Sequence, residues 1–135
     1  MESSLIQLVN FQLHGDARGK LSVAEVGGAL PFAVRRIYWI YGTKPGVSRG
    51  FHAHKKLNQL CVCIAGSLRI RLFDGTNEDD VTLNEMNVGL KIPPRIWHEM
   101  HDLSPDCVLI VFAESEYDES DYIRDRKQFI RYVVG

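Results

Sequence analysis

The stretch Gly46–Gly66 reads GVSRGFHAHKKLNQLCVCIAG, and its pattern decides the architecture. His52 and His54 alternate with Ala53, so on an extended strand both imidazoles face the same side. The run Leu57–Ile64 (LNQLCVCI) is largely apolar and stops at Ala65-Gly66, a turn signal. A strand with two same-side histidines that leads into an apolar strand directs those histidines toward a barrel interior.

Further strands lie on both sides of this stretch. Arg35–Tyr41 (RRIYWIY) is β-branched and aromatic. Ser67–Phe73 (SLRIRLF) alternates, with Leu68, Ile70 and Leu72 on one face and Ser67, Arg69 and Arg71 on the other. Asp74-Gly75 closes it with hairpin chemistry. Val81–Leu83, Val88–Ile92 and Cys107–Phe112 read as further short strands. Pro93-Pro94 ends one of them, because proline offers no ladder donor. Many short strands divided by Gly, Pro and Asp predict an all-β barrel or sandwich. The carboxy-terminal stretch Asp121–Val133 (DYIRDRKQFIRYV) departs from this, placing Tyr122, Ile123, Phe129, Ile130 and Val133 near helical spacing. It predicts a short helix capped by Ser120 or Asp118. Glu114–Asp121 (ESEYDESD), the one charge run, reads as a solvated loop before that helix.

Composition bounds the function. The chain has 135 residues, 45% hydrophobic and 24% charged, the balance of one globular domain spanning 1–135. A chain of this size buries roughly two-thirds of its unfolded surface and needs no metal or disulfide to fold. Sixteen Lys and Arg stand against seventeen Asp and Glu, for a net charge of −1. That argues against a general nucleic-acid binder and leaves room for a local cationic pocket. No apolar run approaches the roughly 20 residues that span a bilayer. The start, MESSLIQLVNFQLHG, lacks a basic n-region and a small-residue cleavage site, so no signal peptide is expected. Cys61, Cys63 and Cys107 lie in apolar runs as small hydrophobes, which suits a reducing cytoplasm.

The histidines carry the chemistry. Gly46, five residues, His52-x-His54, four residues, Gln59, six residues and Gly66 resemble the first motif of the cupin superfamily, G-x5-H-x-H-x4-E-x6-G. A second cupin motif, with P-x-G-x-x-H, is matched at Pro93 and His98, while Arg95 replaces its glycine and Asn87 its opening glycine. In many cupins three histidines and a glutamate bind a divalent metal. His52, His54 and His98 match the histidines, and Gln59 stands where the glutamate would be. A neutral amide is a poor transition-metal ligand, although three imidazoles can hold zinc or iron. Gln59 is expected to be buried and hydrogen-bonded, and His14 and His101 to be structural.

Three segments in order, RGFHAHKKLNQL, IPPRIWHEMHD and YDESDYIR, carry a closer resemblance. They are similar to the dTDP-4-keto-6-deoxyglucose 3,4-ketoisomerases, over nearly the whole chain from Asp16-Ala17-Arg18-Gly19 to the terminal helix. The resemblance implies a single cupin jelly-roll barrel with a short carboxy-terminal helix, and a homodimer with exchanged amino-terminal strands. It implies catalysis without metal or other cofactor. The substrate would be a dTDP-linked 4-keto-6-deoxyhexose, isomerised toward a 3-acetamido-3,6-dideoxyhexose for surface polysaccharide.

The implied active-site pair falls on His52 and His54, with His52 the base at C3 and His54 orienting it, polarising the carbonyl or assisting proton transfer. Imidazole suits a base that titrates near neutrality. Arg49 and Tyr38 are candidates to hold the enediolate oxygen, Arg49 also the diphosphate, and Tyr38 and Trp97 to line the sugar or base pocket. Arg36, Arg69 and Arg71 read as solvated strand-face charges. The family has members with galacto and members with gluco products. Arg18 before Gly19, and His98 in Trp97-His98-Glu99-Met100, resemble the galacto pattern. A metal-dependent cupin enzyme, a dTDP-sugar 3,5-epimerase and a non-catalytic sugar-binding cupin remain as alternatives at this stage.

Overall fold

The computed structural model describes residues 4–135, so the first three residues of the amino-terminal stretch lie outside it. Twelve strands run in chain order: β1 Leu8–Asn10, β2 Gln12–Asp16, β3 Gly19–Val23, β4 Arg36–Ile40, β5 Arg49–His54, β6 Gln59–Ala65, β7 Leu68–Phe73, β8 Glu78–Leu83, β9 Val88–Ile92, β10 Trp97–His101, β11 Val108–Ala113 and β12 Tyr122–Ile123. One helix, α1, follows at Arg126–Val134. Two antiparallel sheets form a jelly roll, ordered β1-β9-β6-β11-β4 and β12-β5-β10-β7-β8. The strands read from sequence are present, with ends shifted by a few residues.

Alternation decides what each sheet turns inward. Leu68, Ile70 and Leu72 of β7 are buried against Cys61, Cys63, Leu90, Leu109 and Val111 of the facing sheet. Their neighbours Arg69 and Arg71 point outward, where both bind Asp80 of β8 and Arg69 also binds Asp102. Asp74 fixes the β7–β8 turn by accepting from the backbone N–H groups of Thr76 and Asn77. All three cysteines are free and buried. Burial pushes the Cys61 and Cys107 thiols up to about 12, which suits core residues and not nucleophiles.

The helix begins later than its apolar spacing predicts. Asp118 caps only a short 3-10 turn, Glu119–Asp121, by accepting from Ser120 N–H. Tyr122 and Ile123 then pair with His54 and Ala53 as β12. Asp125 caps α1 by accepting from Gln128 N–H. Phe129 of α1 seals the outer face of the second sheet against Ala53, Phe73, Trp97 and Ile123.

The amino-terminal strands divide between the barrel and a separate hairpin. β1 pairs with β9 of its own chain, Leu8 opposite Leu90. β2 and β3 form a hairpin paired to each other, and nearly all of its residues are exposed.

A bulge positions the site. Gly50 and Phe51 of β5 adopt φ values of 91° and 59°, and the β5–β10 register shifts between His98 and Glu99. A Cβ on Gly50 would meet the His98 carbonyl oxygen at 3.1 Å. Gly50→Ala is therefore expected to cost about 1–3 kcal/mol, read as a lower urea midpoint. An unchanged midpoint would show that the bulge relaxes freely.

Candidate active site

Strand pairing assembles the site inside one end of the barrel. His52 and His54 share the inner face of β5, while Ala53 between them faces α1. On one side β10 places His98 opposite His52, and on the other β12 places Tyr122 opposite His54. The rings pack closely: centroids lie 4.3 Å apart for His52 and His98, 5.1 Å for His52 and His54, and 4.3 Å for His54 and Tyr122. From the facing sheet, β4 contributes Tyr38 and β6 contributes Gln59, whose amide nitrogen donates to the Tyr38 hydroxyl at 2.8 Å. Gln59 is thus buried and hydrogen-bonded, as its sequence position implied.

Each imidazole of the β5 pair is oriented through Nδ1. His52 Nδ1 lies 3.2 Å from the Gly50 carbonyl oxygen, and His54 Nδ1 lies 3.2 Å from a carboxylate oxygen of Asp121. Both partners only accept, so both Nδ1 atoms carry the hydrogen and both Nε2 atoms keep a lone pair. Burial pushes His52 below the usual imidazole range. It holds His54 down to about 4, with charge on His52 adding to the effect. Burial also keeps fully enclosed His98 well below that range. The cluster is neutral at pH 7 and offers bases in their basic form. Burial pushes the Tyr38 phenol up to about 12, so it keeps its proton. Because that oxygen accepts from Gln59, its own O–H is free to donate to a ligand oxygen.

Two openings serve the histidines. A cavity of about 380 Å³ is lined by Arg36, Tyr38, Arg49, His52, Tyr122 and Arg124, among others. That volume suits a small organic ligand. A polar opening of about 120 Å³ reaches His54, lined also by Lys56, Asp118 and Asp121. Arg36 and Tyr122 border both openings. A larger cavity, about 620 Å³, lies between the β2–β3 hairpin and the outer face of the first sheet. Phe11, Leu13, Val62, Ile64, Ile110 and Phe112 line it, and it holds no histidine.

The candidates named from sequence separate into two groups. His52, His54, Tyr38 and Arg49 meet around the site. His98 lies within β10, 1% exposed behind His52, and lines neither opening. Trp97 faces the opposite side, donates to Glu99 at 2.9 Å and packs on Phe129. Neighbours on a strand point to opposite faces, so Trp97 and His98 do not both face the barrel interior. Arg18 stands at the exposed tip of the β2–β3 hairpin, paired with Asp16 and bordering neither opening.

Four further residues join the site. Arg36 is not a solvated strand charge: its guanidinium sits over the Tyr38 and Tyr117 rings, and its buried Nε has no partner. Its spacing of two from Tyr38 on β4 was the available signal. Arg124 lies over the Tyr122 ring and binds Glu119 with two hydrogen bonds, of 2.8 and 2.9 Å. Asp121 and Tyr122 come from the end of the charge run and arrive only through β12 pairing.

The full cupin ligand set has a carboxylate where Gln59 stands, and here that amide is committed to Tyr38. Among the described residues no three His, Cys, Asp or Glu side chains are grouped to hold a metal ion. The residues do not fit a resident divalent metal. No helix among them is long and apolar enough to cross a membrane.

Neutral buried histidines fix an acid response. Their folded pKa values lie below the ordinary value, so the unfolded chain binds more protons as pH falls through about 6.5. Stability is lost progressively from there down to the lowered values. Thermal melts should show Tm falling between pH 7 and pH 5, less steeply in His98→Gln. An equally steep fall in that variant would show His98 to be charged in the fold.

Residues 2–134 match the family described as FdtA (WxcM-like, C-terminal). The chain is 46% identical over 128 residues to a TDP-4-oxo-6-deoxy-alpha-D-glucose-3,4-oxoisomerase from Aneurinibacillus thermoaerophilus, covering 95% of this chain and 92% of the relative. A crystal structure of a 3,4-ketoisomerase from Helicobacter canadensis superposes with TM-score 0.94 at 41% identity, over 98% of this chain and 100% of that one. The sugar 3,4-ketoisomerase QdtA from Thermoanaerobacterium thermosaccharolyticum, in complex with TDP, gives 0.93 at 39%, over 96% and 94%. A histidine-to-asparagine variant of QdtA has been solved with TDP-4-keto-6-deoxyglucose.

Proposed function

The chain belongs to the FdtA family of TDP-sugar 3,4-ketoisomerases, and from that premise we propose that it converts dTDP-4-keto-6-deoxyglucose to dTDP-3-keto-6-deoxygalactose. The observation that carries this reading is the pair of oriented, neutral imidazoles beside a buried phenol with a free hydrogen. In the proposed reaction Nε2 of His52 takes the proton from C3, which is acidified by the C4 carbonyl. The enediolate charge on O4 is met by the Tyr38 hydroxyl and the Arg49 guanidinium. A proton returns at C4, and the hydrogen of O3 passes to O4. In net terms C3 loses one hydrogen and C4 gains one, and O3 loses one while O4 gains one, so no outside oxidant or reductant is required.

Arg36, Arg49 and Arg124 supply three guanidinium groups to the larger cavity, which suits the diphosphate. The configuration at C4 depends on which face receives the proton. Arg18 and His98 follow the galacto pattern, His98 acting through its contact with the His52 ring. The 3-keto product is the substrate form from which an aminotransferase and an acyltransferase make a 3-acetamido-3,6-dideoxyhexose for surface polysaccharide. The whole chain works as one cytoplasmic domain.

NMR of the protein with dTDP-4-keto-6-deoxyglucose in deuterated water should show a 3-keto product with deuterium at C4 in the galacto configuration. An unchanged spectrum would sink the activity, and a gluco product the stereochemical assignment. His52→Asn should lose at least about 100-fold in kcat while still binding TDP. Full activity in that variant would remove His52 as the base.

The protein also acts as a homodimer. Leu13 and Leu21 on the β2–β3 hairpin are 49% and 58% exposed, and Ile37 and Trp39 on edge strand β4, with Tyr41 just beyond it, form a further exposed apolar row. Exchange of the amino-terminal strands covers these residues and brings Arg18 to the site of the second copy. Analytical ultracentrifugation should show a dimer at micromolar concentration and a monomer for the double variant Leu13→Asp, Leu21→Asp. A monomeric wild-type protein would refute the assembly.

A further inference from the structure

We propose that Asp121 is a positioning residue, which holds His54 in the Nδ1–H tautomer so that its Nε2 serves as a second proton-transfer group of the site. The proposal rests on the ketoisomerase reading above and assigns a role within it. Asp121 ends the 3-10 turn before β12, 67 residues beyond His54 in sequence. Three bonds tie it to the end of β5 and the two lysines that follow. Its Oδ2 faces His54 Nδ1 at 3.2 Å, its Oδ1 accepts from Lys56 N–H at 2.9 Å, and its carbonyl accepts from Lys55 N–H at 2.9 Å. Asp121 and His54 both border the smaller opening, while His52, whose ring packs against that of His54, lines the larger cavity.

The other end of the His54 ring supplies the second observation. His54 is 2% exposed, and its Nε2 is buried with no hydrogen-bond partner. A buried acceptor left unpaired is costly, and a proton-transfer role accounts for its retention. The carboxylate can only accept, so it selects the tautomer in which Nε2 is a bare lone pair. Burial keeps that ring neutral at pH 7. His52 achieves the same tautomer through the Gly50 carbonyl, so each ring keeps an Nε2 lone pair, with centroids 5.1 Å apart. Two such groups on one strand face suit a reaction that removes a proton from one carbon and returns one to its neighbour.

Asp121→Asn and Asp121→Ala separate positioning from structural support. Asparagine keeps the oxygen that accepts from Lys56 N–H and turns its NH2 toward Nδ1 of His54. That reverses the tautomer, leaving Nε2 protonated and unable to accept. Alanine removes the Lys56 bond but leaves the ring free to choose. The expected order with dTDP-4-keto-6-deoxyglucose is a kcat loss of about 100- to 10,000-fold for Asp121→Asn and a smaller loss for Asp121→Ala, with KM nearly unchanged in both. A structural role predicts the reverse order, because asparagine retains more of the bonding. Nitrogen-15 NMR of the imidazoles should show His54 protonated at Nδ1 in the wild type and at Nε2 in Asp121→Asn. An unaltered His54 tautomer in Asp121→Asn, an altered tautomer with full kcat, or a greater loss for alanine would each overturn the proposal. Absence of turnover in the wild type would sink the underlying reading instead, and the NMR comparison stands apart from activity.

Discussion

The site depends on the pleat of β5 and its pairing on both edges. Alternation sends His52 and His54 inward and Ala53 outward to the helix. Register then selects their neighbours, His98 across from His52 and Tyr122 across from His54. A slip of one residue would bury Ala53 among the rings and turn both imidazoles onto Phe129. The bulge at Gly50 and Phe51 is part of the same constraint, because it brings the Gly50 carbonyl to His52 Nδ1. Backbone strain at this point is the local cost of an oriented imidazole.

Around that strand the barrel divides its interior by polarity. Away from the histidines, Leu68, Ile70, Leu90 and Leu109 form an apolar floor. At the other end, the polar groups are matched or directed: Gln59 to Tyr38, His54 to Asp121, Arg124 to Glu119. The unmatched atoms are instructive because they cluster. Arg36 Nε, His54 Nε2 and His98 Nδ1 are buried without partners, all from residues at the site end of the barrel. Such orphans are rare in a folded interior and mark where function outweighs satisfaction.

Much of this was legible in the sequence, for physical reasons. Alternation in SLRIRLF and the apolar run LNQLCVCI reflect burial on one face or both, which strands write directly into residue order. The HxH spacing put two imidazoles on one side before any tertiary contact was known. The helix start was not legible, because Tyr122 and Ile123 fit helical spacing with Phe129 and a two-residue strand leaves no period of its own. Asp121 was hidden in an acidic run whose ordinary fate is solvent, and only a partner 67 residues away distinguishes it. Arg36 was readable by parity with Tyr38, whereas its arginine identity pointed to the surface. The tryptophan beside His98 drew attention as an aromatic, although strand parity excludes the two from one face.

The neutrality of the histidine cluster bears on direction. His52 and His54 are chemically alike, each a neutral imidazole with Nδ1 engaged and Nε2 bare. A catalyst speeds both directions alike, so the balance between the two ketones belongs to the sugars and not to the site. Exchanging a ketone at C4 for one at C3 alters the bonding of the sugar very little. In the proposed reaction the enzyme is therefore a reversible valve, near equilibrium on its own, and net flow is set by whatever next reacts with the C3 carbonyl. A barrel of this size, with matched bases and no stored driving force, fits a step whose commitment lies downstream.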